Sequence, residues 1–232
     1  MAKHLDLEQQ EQLDEIKHFW KQRGNLITWV LVAALGGVAA WNGYHYWQRN
    51  QAAQAAQMYD ELERSVQGGD AAKIERVMAD MNDKFAGTSY AQQAGLLAAK
   101  SYHDKGNSEA ARAALTTVAN KSADAGYKAI ARLRLAALLM EKKAYDEALT
   151  SLEAPFPAEF SALADDRRGD ILRLQDKKPA ARAAYEKAYA AFDERADYRR
   201  LVEVKLNALG ASVAATAAPA ATPTAAQAKR KS

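Results

Sequence analysis

From Leu26 to Trp47 the chain runs LITWVLVAALGGVAAWNGYHYW, 22 residues without one Asp, Glu, Lys or Arg, in a sequence that is otherwise rich in charge. A helix of that length covers roughly 33 Å at about 1.5 Å per residue, enough for the ~30 Å hydrocarbon core of a bilayer. Residues 25–47 are therefore expected to form a transmembrane helix, with Leu26 the first apolar residue of the span. Aromatic rings stand where a membrane-interface belt would put them, Trp29 near one end and Trp41, Tyr44, Tyr46 and Trp47 at the other. A cleaved signal peptide is the rival reading, because Val38, Ala39 and Ala40 offer a small-residue cleavage pattern. A signal peptide, however, rarely has a leader of about 25 residues holding five acids, nor does it run on into an aromatic belt.

The flanks give the span a direction. Lys17, Lys21 and Arg23 precede it and only Arg49 follows closely. Cations near a span are retained on the cytoplasmic side, which predicts a cytoplasmic N-terminus and an exported remainder. In the arm, residues 1–24, Leu13, Ile16, Phe19 and Trp20 recur at spacings of three and four until Gly24, expected to break the run. That pattern predicts an amphipathic helix resting on the inner leaflet or offering a docking face. Within the span Ala33 with Gly37, Gly36 with Ala40, and Ala39 with Gly43 are small residues four apart, a spacing that lets two membrane helices pack backbone to backbone.

Beyond the span the chain is nearly neutral apart from the basic end Lys229, Arg230 and Lys231, which argues against nucleic acid as a partner. There is no cysteine, which excludes disulfides, thiol catalysis and thiolate metal sites. The four histidines, His4, His18, His45 and His103, are scattered, and no pair has ligand spacing. The acid pair Asp165-Asp166 does not converge on a substrate, because neighbours on a helix point about 100° apart. Neither catalysis nor a cofactor or metal is expected.

From Gln51 to about Leu209 the periodicity is helical, with breaks at Gly68-Gly69-Asp70, Gly87-Thr88-Ser89, Lys105-Gly106-Asn107, Asp124-Ala125-Gly126, Pro155-Phe156-Pro157 and Asp176-Lys177-Lys178. Helices of such length joined by tight turns form antiparallel hairpins, and these repeat. Ala99, Ala136 and Gly169 align; twelve residues on stand Ala111, Ala148 and Ala181, and sixteen on Leu115, Leu152 and Tyr185. The period is 37 and then 33 residues, close to the ~34 of a tetratricopeptide repeat. Gln51–Gln67 and Ala71–Ala86 form an earlier hairpin, and Asp197–Leu209 a closing helix. The chain thus reads as all-α: one N-terminal transmembrane helix, then a tetratricopeptide-like solenoid over 48–210. The Ala/Pro/Thr-rich tail, 211–232, is expected to be disordered.

The first helices of such hairpins line a concave groove. The register assigns to it Gln93, Leu96, Lys100 and His103; Ile130, Leu133, Ala137 and Met140; and Leu163, Asp166, Asp170 and Arg173. Its apolar middle would accept varied apolar peptide segments.

The segment EQLDEIKHFWKQRGN before the span, the GDIL hairpin and the closing KLNALG together resemble the YfgM-type ancillary subunits of the bacterial SecYEG translocon, across roughly Glu8 to Gly210. The resemblance implies a Gram-negative inner-membrane protein with a periplasmic repeat domain. It implies SecYEG and the folding factor PpiD as partners, non-native exported polypeptides as clients passed on to periplasmic chaperones, and a link to envelope-stress control. A structural scaffold of another inner-membrane envelope complex is the alternative.

Overall fold

The computed structural model describes the backbone of residues 7–210 and the side chains of residues 17–210. Leu13 and Ile16 of the arm, and the tail expected to be disordered, lie outside the described side chains. Among the described residues the chain is all helix. The elements are α1 (Leu7–Gln67), α2 (Ala71–Lys84), α3 (Ser89–Asp104), α4 (Ser108–Lys121), α5 (Ala125–Glu141), α6 (Tyr145–Ser151), α7 (Ala158–Leu174), α8 (Lys178–Ala191) and α9 (Asp197–Ala208). They fall into two compact units, one reaching Gln54 and one beginning at Ala55.

In the first unit, α1 passes through Gly24 without the expected break. A glycine inside a helix costs only about 0.5–1 kcal/mol relative to alanine. Here the Trp20 indole covers the glycine, 3.2 Å from where a Cβ would stand, and Thr28 Oγ1 donates to the Gly24 carbonyl at 2.8 Å. The apolar side chains of Leu26, Trp29, Val30, Leu31, Val32, Leu35, Val38, Trp41 and Trp47 are all more than half exposed. The helix contains a stretch long and apolar enough to cross a bilayer. It also runs past residue 47 to Gln67, so the segment expected as the first helix of a separate hairpin is the end of α1.

In the second unit the repeat is written in the turns. Gly69, Gly106, Lys143, Asp176 and Gly210 all have positive φ, between 58° and 78°. Each donates its amide to the carbonyl three residues back, as in Gly106 N to His103 O at 2.8 Å and Lys143 N to Met140 O at 2.9 Å. At the first four, the next residue donates five back, which closes the helix end as a Schellman-type turn. The turns therefore recur with the period of the sequence, and they extend it back to the pair formed by the end of α1 and α2. Asp70, Thr88, Asn107 and Asp124 cap the helices that follow them by accepting backbone amides. The Asp124 cap moves one expected break: α4 ends at Lys121 and α5 begins at Ala125.

Two of the hairpins close on a glycine. A Cβ at Gly169 would meet three ring carbons of the fully buried Tyr185, the farthest at 2.9 Å. A Cβ at Gly95 would stand 2.5 Å from Val118 Cγ2. Arg132, one period on from Gly95, holds the loop after the short α6. Its Nε donates to Ser151 O at 2.9 Å, its Nη atoms to Ala154 O and Pro155 O, and its guanidinium lies 4.1 Å from the Phe156 ring centroid.

The array ends in a buried ionic cluster. Lys205 of α9 reaches Asp166 of α7 at 2.7 Å and Asp170 at 2.9 Å. Tyr198 Oη donates to Asp166 at 2.9 Å and Tyr185 Oη to Asp170 at 2.8 Å. Apolar packing of Val202 and Leu206 against Ala181, Tyr185 and Ala188 completes the contact. Burial, then the charge of Asp166 and its hydrogen bond, pushes the Tyr198 phenol from its ordinary value of 10.0 up to about 12, and burial followed by Asp170 raises that of Tyr185 further.

Three outcomes are expected. Gly169→Ala overpacks the α7–α8 contact and lowers unfolding free energy by about 1–3 kcal/mol, and Tyr185→Leu beside it recovers part of the loss, read from denaturant curves. Lys205→Met leaves two carboxylates without their cation and costs about 3 kcal/mol, with faster amide exchange concentrated in α9. A phenol whose pKa is raised by folding stabilises the fold below its unfolded value and loses that contribution as pH climbs through the folded one. Stability should accordingly fall between pH 10 and 12, and Tyr198→Phe should make that decline shallower.

Candidate functional site

The groove positions expected on the first helices do not share one environment. Leu96, 7% exposed, sits in a core cluster with Ala99, Leu115, Ala131 and Leu138, and Asp166, 1% exposed, is sealed by α9. Neither lines a groove. The cause is geometric: Leu96 with Lys100, Leu133 with Ala137, and Asp166 with Asp170 hold equivalent places in successive hairpins, on the side of the first helix that meets the next one. Asp170 is likewise engaged, by Tyr185 and Lys205. Leu133 and Met140 are half-buried against the Ala136, Leu139, Ala148 and Ile171 cluster, and Ile130 against that of Leu96. Gln93 donates to Tyr127 Oη at 2.9 Å, which ties α3 to α5. Leu163 is half-buried, and Arg173 is exposed with its guanidinium against the Tyr185 phenol.

What the structure does bring together is the α3–α5 joint. A pocket of about 330 Å³ opens between these helices and over α4, and Ala99, Ala111, Leu115, Ala137 and Leu138 form its apolar lining. Lys100, His103, Arg134 and Glu141 supply the polar part of its wall. Lys100 pairs with Asp104 at 2.5 Å, and that hydrogen bond holds the exposed Asp104 carboxyl below its usual range. His103 Nε2 stands 3.6 Å from Glu141, and Arg134 Nη1 donates to Leu96 O at 3.5 Å, so α3 and α5 are bridged one turn apart on either side of Lys100. Sequence reasoning found Lys100, His103 and Ala137 but missed Arg134, Glu141 and Leu115. Its one-face-per-helix rule cannot select residues that converge from three helices.

In the span, Ala33, Gly36, Gly37, Ala40 and Gly43 are exposed, and a Cβ at any of the three glycines would meet nothing within 4 Å. Asn42 donates to its own helix at Val38 O, 3.0 Å away. Trp41 packs edge-on against His45, with ring centroids 4.5 Å apart, and Tyr44 lies 6.2 Å from Trp47. Among the described residues no three His, Cys, Asp or Glu side chains converge as a metal site would require.

A family model described as a tetratricopeptide repeat-like domain matches residues 17–211. A Neisseria gonorrhoeae protein named ancillary SecYEG translocon subunit is 30% identical over 214 residues, which cover 90% of this chain and 100% of that protein. Its namesake from Haemophilus influenzae is 31% identical over 88% of this chain and 98% of its own length, and that from Escherichia coli 28% over 86% and 95%. With one long apolar helix ahead of an array of turn-locked hairpins, and with a match that takes in both parts, the chain belongs to the tetratricopeptide repeat-like family of ancillary SecYEG translocon subunits.

Proposed function

We propose that this protein is a non-catalytic, single-pass inner-membrane adaptor that stands beside SecYEG and receives polypeptides as they emerge. Its N-terminus lies in the cytoplasm, residues 25–47 cross the bilayer, and the array from residue 48 works in the periplasm, with a PpiD-type folding factor as its neighbour. The observation that carries this reading is the extent of the match: the whole of the Neisseria protein named for the translocon aligns with this chain, span and array together. The direction of insertion rests on Lys17, Lys21 and Arg23 against the lone Arg49. A receiving role rests on the open, largely apolar pocket of the α3–α5 joint.

The exposed small-residue face of the span supports a lateral contact. A Cβ at Gly37 meets nothing within 4 Å among the described residues, which leaves that face open to a partner helix.

The deciding measurement is affinity purification from detergent-solubilised membranes: SecY and the PpiD-type factor should co-purify, and their joint absence beside an unrelated stable complex would identify a scaffold instead. Gly37→Leu should reduce SecY recovery by several-fold while membrane insertion is retained; unchanged recovery would mean that this face does not make the contact. Because the chain has no cysteine, single cysteines at positions 12 and 190 report topology directly. Only the second should react with a membrane-impermeant thiol reagent in intact cells.

A further inference from the structure

On the wall of the α3–α5 pocket the Arg134 guanidinium stands without a carboxylate partner among the described residues. Of its three basic wall residues, Lys100 is held by Asp104 and His103 faces Glu141. Arg134 has only the long 3.5 Å bond to the Leu96 carbonyl, and among the described residues it pairs with no carboxylate. An exposed arginine on an ordinary surface would carry no message. This one stands at the edge of an apolar hollow, where a guanidinium fork is suited to take a carboxylate through two parallel hydrogen bonds.

We infer that this pocket recognises an acidic-apolar element of a non-native polypeptide: a large apolar side chain seated over Leu115 and Leu138, with the carboxylate of a neighbouring Asp or Glu on Arg134. The inference deepens the receiving role proposed above and rests on it. At about 330 Å³ the pocket lies at the small end of ligand sites, sized for one side chain and its flanks rather than for a folded partner. Its lining is mostly apolar, so apolar contact holds the ligand, and the Arg134 guanidinium selects among apolar segments those that carry an adjacent acid. Lys100 adds to that preference without being able to set it, since Asp104 occupies it from the same helix.

The test uses the full-length protein in detergent and three extended peptides capped at both ends, carrying Leu-Glu, Leu-Gln or Ser-Glu at the centre, together with a reduced and alkylated unfolded protein. Leu-Glu should bind about tenfold or more tightly than either of the others, the span of a charge-assisted hydrogen bond. Arg134→Gln should bring Leu-Glu down to the level of Leu-Gln and leave Leu-Gln unchanged, whereas Arg182→Gln, on α8, should change neither. Equal binding of Leu-Glu and Leu-Gln, or a preference that survives Arg134→Gln, overturns the inference. It leaves the receiving role standing if the unfolded protein still binds. A Leu-ended peptide with a free C-terminus that outcompetes Leu-Glu identifies chain ends as the ligand and overturns the internal acid. Failure of the unfolded protein and all peptides to bind removes both the inference and the receiving role.

Discussion

Everything in the second unit depends on how closely the two helices of a hairpin can approach. In the three full repeats that distance is set by a small residue under a bulky one: Gly169 under Tyr185, and Ala99 and Ala136 at the equivalent places. With the approach fixed, the positive-φ residue seven positions later turns the chain at the same point each time, so the second helix starts in register. Side-chain caps on Asp70, Thr88, Asn107 and Asp124 then satisfy amides that water would otherwise have to reach. Local turn chemistry and helix packing specify the same geometry, which is the consistency a stacked array needs because each hairpin touches only its neighbours.

The joints between hairpins vary where the hairpins themselves do not. At two register positions the α3–α5 joint has Leu96 and Lys100, the α5–α7 joint Leu133 and Ala137, and the α7–α9 joint Asp166 and Asp170. The first encloses a pocket, the second packs its half-buried leucine against the neighbouring core, and the third binds the ammonium of Lys205.

Much of this was legible in the sequence, and what was not has identifiable causes. The repeat could be read from Ala99, Ala136 and Gly169 because close helix approach tolerates few residue types. The continuity of α1 was legible too, since between Gly43 and Gly68 there is neither proline nor glycine. Gly24 misled because one glycine weakens a long helix without ending it. Leu96 and Asp166 misled because positions that face solvent in a single hairpin face the next helix in a stack. Nothing local distinguishes a leucine in a groove from one in a joint. Arg134 was invisible for the complementary reason: its meaning comes from Leu115 on another helix and from the absence of a described carboxylate near it, neither of which a helical wheel records.

The ionic end of the array has a consequence for its length. Burying two carboxylates is costly unless a cation reaches both, and an apolar helix of the kind that packs at the other joints would leave them unpaired. Only a helix presenting an ammonium at the Lys205 position, with an aromatic hydroxyl seven residues earlier at Tyr198, satisfies Asp166 and Asp170 together. The cluster therefore ties α9 to α7 through one ammonium that reaches both carboxylates. A solenoid made of interchangeable apolar joints could add hairpins or stack end to end. Here the last joint is closed by charge, with Lys205 on Asp166 and Asp170.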